Sequence, residues 1–124
     1  MKKNIIHLAY MILVIIGPYQ IHAQTAILQG VVTDSESQSA IPFATIALYQ
    51  QGILIEGTDT DFDGNYLFAN LTDGVYDVKA IYLGYTPQQI EGVAVKSDSI
   101  VDLDLQLEPS GAILDEVVII RYKK

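Results

Sequence analysis

The 124 residues carry fifteen acids against seven bases, a formal charge of −8, with no cysteine, no tryptophan and only two histidines. No basic stripe is present to meet backbone phosphates, so nucleic acid is not an expected partner. Without cysteine there is no disulfide framework, no thiol nucleophile and no thiolate metal site, so stability has to come from one packed core.

Taken in chain order, Lys2 and Lys3 precede an apolar run over residues 5–17, broken only by His7, and then Pro18 and Gln20-Ile21-His22-Ala23-Gln24. A positive start, a short apolar middle and a small residue before the cut predict a secretory signal peptide, residues 1–23, cleaved after Ala23. The run is shorter than the ~20 apolar residues that span a bilayer, so no membrane span is expected after cleavage. Lipid attachment at a cysteine is ruled out. Cleavage leaves 101 residues, removes both histidines and both methionines, and leaves fifteen acids beside Lys79, Lys96, Arg121, Lys123 and Lys124, a net charge of −10. A His general base and His-bound zinc are thereby excluded. A chain of about 100 residues buries roughly 60–65% of its unfolded surface, enough for a single domain. The expected location is exported: periplasmic, associated with the outer membrane, or secreted.

Leu28-x-Gly30-x-Val32 alternates with Ile27, Gln29, Val31 and Thr33 and predicts a first strand over Ala26–Asp34, buried mainly on one face. A polar turn follows, and Ile41-Pro42 restarts the chain extended, because a residue before proline is pushed out of the α region. Ala44, Ile46 and Leu48 share one face of a second strand. Gln50-Gln51-Gly52 turns into a third strand at Ile53-Leu54-Ile55, and Tyr66-Leu67-Phe68 begins a fourth. Between these two, Asp63-Gly64 supplies a pair that tolerates positive φ, a hairpin signal that makes strands three and four antiparallel neighbours. Asp59, Asp61 and Asp63 before Gly64 also match the first half of a calcium loop, but its twelfth position is Asn70, where a bidentate Glu is needed. A plain acidic turn is the expectation, with weak cation binding by these three aspartates as the alternative.

Residues 75–83 place Tyr76, Val78, Ala80 and Tyr82 inward, opposite Asp77 and Lys79. Residues 88–95 form a weaker strand in which Gly92 marks a bulge or an edge. Val101, Leu103, Leu105 and Leu107 alternate with Asp102, Asp104, Gln106 and Glu108 as one amphipathic strand. No helical period is present after residue 23, and seven short strands with turns roughly every 8–12 residues predict an all-β sandwich.

The order Gly30-x-Val32-x-Asp34, Pro42-x-Ala44-x-Ile46, Thr60-Asp61-x-Asp63-Gly64-x-Tyr66-x-Phe68, Leu71-x-x-Gly74-x-Tyr76-x-Val78 and Gly84-Tyr85 resembles the carboxypeptidase regulatory-like domain family. The resemblance covers most of residues 25–108. It implies a seven-stranded, transthyretin-like (prealbumin-type) Greek-key β-sandwich that assists folding or binding and has neither catalytic residues nor a cofactor. In physical terms, Gly64 permits the turn, Gly74 leads into strand five, and Tyr76 and Tyr82 bring apolar area to the core with hydroxyls to satisfy.

After Pro109-Ser110-Gly111 the character changes, and residues 109–124 are expected to be a flexible tail. Leu114-Asp115-Glu116-Val117-Val118-Ile119-Ile120 looks like the segment that follows this domain in SusC-like, TonB-dependent outer-membrane receptors. There it serves, near or within the TonB box, as an extended strand pairing with an energy-transducing periplasmic protein. That resemblance makes Leu114, Asp115, Glu116, Val117, Val118, Ile119 and Ile120 candidate partner-binding residues, with a TonB-type periplasmic protein or outer-membrane receptor components as partners. An eighth strand or an aggregation-prone tail is the other reading, since residues 117–120 are apolar, β-prone and free of proline. Neither a plug nor membrane-barrel strands follow in the sequence, so transport by this chain alone is not expected.

The leading functional expectation is an exported, non-enzymatic interaction module. A secreted glycan- or peptide-binding module using Tyr49, Tyr85 and Tyr122 is the second. An enzyme built on Asp59, Asp61 and Asp63 is disfavoured, because two-carboxylate hydrolysis needs groups held about 5–10 Å apart across a cleft, which a tight turn does not offer.

Overall fold

The structure, a computed structural model, describes residues 25–111 and 117–122; the expected signal peptide and Leu114, Asp115 and Glu116 lie outside them. The described residues form nine strands and no helix: β1 Ala26–Asp34, β2 Thr45–Gln50, β3 Ile53–Asp59, β4 Asn65–Leu71, β5 Gly74–Ile81, β6 Gln88–Val95, β7 Ile100–Asp102, β8 Leu105–Leu107 and β9 Val118–Arg121. One sheet runs β4-β1-β7, with β8 continuing beside β1, and the other runs β3-β2-β5-β6-β9.

Period-two patterning does the sorting. Leu28, Val32, Phe68, Leu105 and Leu107 point inward from the first sheet, and Ile46, Leu48, Val78, Val93 and Val95 from the second, all fully buried or nearly so. Each such side chain contributes roughly 1.5–3 kcal/mol on leaving water, so the interdigitated layer between the sheets is the source of stability. Tyr76 enters it with its hydroxyl donating to the Thr72 carbonyl at 2.7 Å.

Nine strands replace the expected seven for two reasons. The amphipathic run from Val101 to Leu107 keeps its alternation but is broken at Leu103-Asp104. There the Leu103 N–H donates to the Gln29 carbonyl at 2.7 Å, while the Leu103 carbonyl passes directly over Gly30 and accepts the Tyr66 hydroxyl. A Cβ on Gly30 would lie 1.9 Å from that oxygen, so only glycine admits the crossing. Asp104 spans the break with its side chain, accepting the Val31 N–H at 2.9 Å. The other addition is β9, which pairs in parallel with β6 from Gln88↔Val118 to Glu91↔Arg121. The eighth-strand reading of the tail therefore describes residues 118–121 better than loose attachment does.

A further correction concerns strands three and four, which are not hairpin neighbours. β3 pairs with β2 through the two-residue turn Gln51-Gly52, both at positive φ, and β4 pairs with β1 in the other sheet. Positive φ at both central positions suits a right-twisted hairpin. The acidic loop between β3 and β4 instead crosses from sheet to sheet. Gly64 does sit at positive φ (78°), and a Cβ there would also meet the Val32 carbonyl at 2.7 Å. Gly92, at φ 78°, lies where the β5–β6 register shifts, as a bulge requires.

Candidate functional site

The acidic loop is built around Asp61. Its Oδ1 accepts the N–H groups of Asp63 and Asn65, each at 2.9 Å, while its carbonyl accepts the Gly64 N–H at 3.0 Å. Those donors, Asn65 first, hold the Asp61 carboxyl below its usual range. Asp59 accepts the Thr45 hydroxyl at 3.2 Å, and Asp63 is exposed at the tip. The Asp61 and Asp59 carboxylates thus serve local turn and strand contacts. Among the described residues no group of three or more His, Cys, Asp or Glu is placed to hold a metal ion.

The loop does border a cleft, which a reading of it as an isolated turn misses. Asp59 and Asp61 line a cavity of about 510 Å³ together with Asp102, Asp104, Tyr66 and Leu67. The carboxylates of β7 and of the break before β8 reach it because β1, carrying Gly30, lies between them and β4. Asp102 receives Gln29 Nε2 at 2.9 Å. The Tyr66 hydroxyl is pushed well above the usual tyrosine range, by burial first and then by Asp104 and Asp102, and is therefore not a base near neutral pH. Asp61 is shifted opposite to what a general acid needs. With four carboxylates along its lining, the cleft has the chemistry to attract positive charge.

Residues 41–44 and 60–64 meet where β2 begins and β3 ends. Thr60 is 2% exposed, donates its hydroxyl to the Ile41 carbonyl at 2.7 Å and accepts the Ala44 N–H at 2.8 Å. The Phe43 N–H donates to the Thr60 carbonyl at 3.0 Å, and the Thr60 N–H to the Ala44 carbonyl at 2.9 Å. On top of this clamp Phe43 and Phe62 pack edge to face, ring centroids 5.0 Å apart and planes at 76°. Sequence reasoning missed this pair. Its only local signal is Pro42, which favours a turn but does not show that the next residue takes positive φ.

The three tyrosines offered for ligand binding are not brought to one place. Tyr49 lines a shallow pocket with Asp77 and Lys79 on the second sheet, and Tyr122 lines another with Lys96 and Ile100. The Tyr85 hydroxyl is engaged by Asp34 Oδ2 at 2.6 Å. Of the tail candidates, Val117, Val118, Ile119 and Ile120 are exposed, and β9 stands at the edge of its sheet. The opposite edge, β3, also exposes Ile53, Leu54 and Ile55.

The family model of the CarboxypepD_reg-like domain matches residues 28–119. No curated protein matches the chain. Among solved structures, the 5-hydroxyisourate hydrolase of Klebsiella pneumoniae is similar at TM-score 0.56 and 20% identity, over 69% of this chain and 92% of that one. A chain of a type II cohesin–X-dockerin complex from Acetivibrio cellulolyticus reaches TM-score 0.57 at 16% identity, over 73% of this chain and 64% of that one. The minor pilin of Streptococcus agalactiae gives TM-score 0.53 and 15% identity, over 73% of this chain and 46% of its own, so the chain spans less than half of the pilin. At these identities the likeness is one of fold.

Proposed function

The chain belongs to the CarboxypepD_reg-like domain family, and from that premise we propose that it is an exported, non-catalytic interaction module. It resembles the N-terminal extension of SusC-like, TonB-dependent outer-membrane receptors. Residues 114–120 are its partner-binding segment, taken up as an added strand by a TonB-type periplasmic protein or a receptor component. The observation that carries the reading is β9: an apolar strand at a sheet edge, exposed along its length, whose sequence continues the Leu-Asp-Glu-Val-Val motif. An edge strand of this kind pairs through its backbone and selects through alternate side chains. The absence of His and Cys after residue 23 supports a role without catalysis.

The test is capture of a TonB-type C-terminal domain by residues 24–124, against a deletion of residues 113–124 and against Ile119→Asp, which alters an exposed side chain. The reading expects capture to be lost in the deletion and weakened at least about tenfold, or 1.4 kcal/mol, by Ile119→Asp. Undiminished capture by the deletion would reject it. The second reading, a glycan- or peptide-binding module, draws support from Tyr49 and Tyr122, each lining its own pocket. Binding on a glycan array that falls with Tyr49→Ala or Tyr122→Ala would favour it.

A further inference from the structure

We propose that the Phe43–Phe62 pair is a docking knob for a partner peptide or protein segment in which an apolar side chain is flanked by lysine or arginine.

Phe43 is 55% and Phe62 80% exposed, so neither ring is held in place by the core. Phe43 stands at φ 60°, in the left-handed region, directly after Pro42 in the turn that enters β2. That position favours glycine or asparagine, and an aromatic residue there carries backbone strain. A strained backbone that aims a large apolar side chain at solvent does nothing for folding, and such strain persists where surrounding structure over-determines it. The over-determining element is Thr60, buried beneath the pair and bonded to residues on both sides of Phe43. The backbone that carries Phe43 is therefore fixed, and the Phe62 ring packs edge to face against its side chain, so the backbone under Phe43 need not be ordered on docking.

Charge decides the occupant. Phe62 sits between Asp61 and Asp63, and Asp59, Asp102 and Asp104 continue the negative field along the neighbouring cleft. The bases of the described residues lie elsewhere: Lys79 on β5, Lys96 after β6 and Arg121 on β9. An anionic lipid surface or a second copy of this acidic chain would be repelled from the knob, whereas a cationic rim is attracted and a guanidinium can also stack on the rings. This surface uses neither the tail nor its proposed partner.

The test is fluorescence anisotropy of residues 24–124 with labelled peptides carrying one phenylalanine or leucine between paired arginines. The controls replace the apolar residue by serine or the arginines by glutamate. Binding is expected for the cationic apolar peptides only, to weaken as salt rises, and to fall at least about tenfold in Phe62→Ser and in Phe43→Asn. Melting temperature should be unchanged in Phe62→Ser and unchanged or raised in Phe43→Asn, since asparagine accepts the left-handed turn. Deletion of residues 113–124 should leave this binding intact even if it abolishes capture of a TonB-type domain. No binding by the parent chain, equal binding of the glutamate peptides, undiminished binding by the variants, or unfolding of both variants would each overturn the proposal.

Discussion

The Tyr85 hydroxyl donates to Asp34 Oδ2 at 2.6 Å and so ties the end of β1 in one sheet to the approach to β6 in the other. Asp34 Oδ1 simultaneously accepts the N–H groups of Glu36 at 2.7 Å and Ser37 at 3.0 Å. The Tyr85 bond, followed by those from Ser37 and Glu36, lowers the Asp34 carboxyl, while the same contact raises the Tyr85 hydroxyl.

Both shifts make the contact pH-dependent, with opposite signs. A depressed carboxyl contributes stability that is present above its unfolded value, about pH 4, and lost as pH falls through the folded value. A raised phenol contributes stability that is present below about pH 10 and lost as pH rises through its folded value. Tyr85→Phe should therefore reduce the loss of melting temperature at the acid limit and remove part of it at the alkaline limit. Superimposable normalised pH profiles of variant and parent would count against the contact.

Gly30 and Gly64 should tolerate no side chain. Gly30→Ala puts a Cβ into the Leu103 carbonyl and is expected to cost about 1–3 kcal/mol, as overpacking does. Gly64→Val adds β-branched strain at positive φ to a clash with the Val32 carbonyl and should cost about 2–4 kcal/mol. Urea midpoints of the two variants read these losses directly.

Thr60→Val keeps shape and removes the hydroxyl, leaving the Ala44 N–H and the Ile41 carbonyl without their partner. An unsatisfied buried group costs about 1–3 kcal/mol, so the urea midpoint should fall while Thr60→Ser retains most of the stability. Equal midpoints for Val and Ser would show that the hydroxyl is dispensable.

Calcium should do little. Asp61 Oδ1 accepts two backbone N–H groups and Asp59 the Thr45 hydroxyl, and among the described residues no three acids are placed to share an ion. Calorimetry in 1 mM calcium is expected to raise the melting temperature by less than about 5 °C, since linkage scales as RT ln(1 + [L]/Kd).

Removing residues 113–124 should cost about 1 kcal/mol or less, because all four β9 side chains are exposed and, among the described residues of the segment, only Tyr122 packs partly against the core. The pairing nonetheless covers β6, so hydrogen exchange should quicken there on deletion. An exchange pattern unchanged along β6 would mean that β9 does not rest on it in solution.

Much of the sandwich is legible in the residues themselves. The inward positions of β1, β2 and β5 follow from alternation, because a strand's two faces are set by a period of two that neighbouring residues report locally. Gly64 is equally legible, since a turn residue at positive φ announces itself by type. The site is far less so: of its features only the acids of the loop were visible, and their cleft was not.

What the sequence alone determined is therefore the all-β class, the inward faces, the acidic turn and the lack of His and Cys chemistry after residue 23. Only the tertiary structure decided that β3 and β4 part into different sheets, that the last amphipathic strand breaks at Leu103 over Gly30, and that β9 docks on β6. It alone also places Phe43 on the Thr60 clamp and Tyr85 on Asp34. The physical reason is range: burial periodicity and turn chemistry act between neighbours, whereas strand partners, a carbonyl crossing a glycine and a hydroxyl meeting a carboxylate are set by residues far apart in the chain, whose meeting no local pattern encodes.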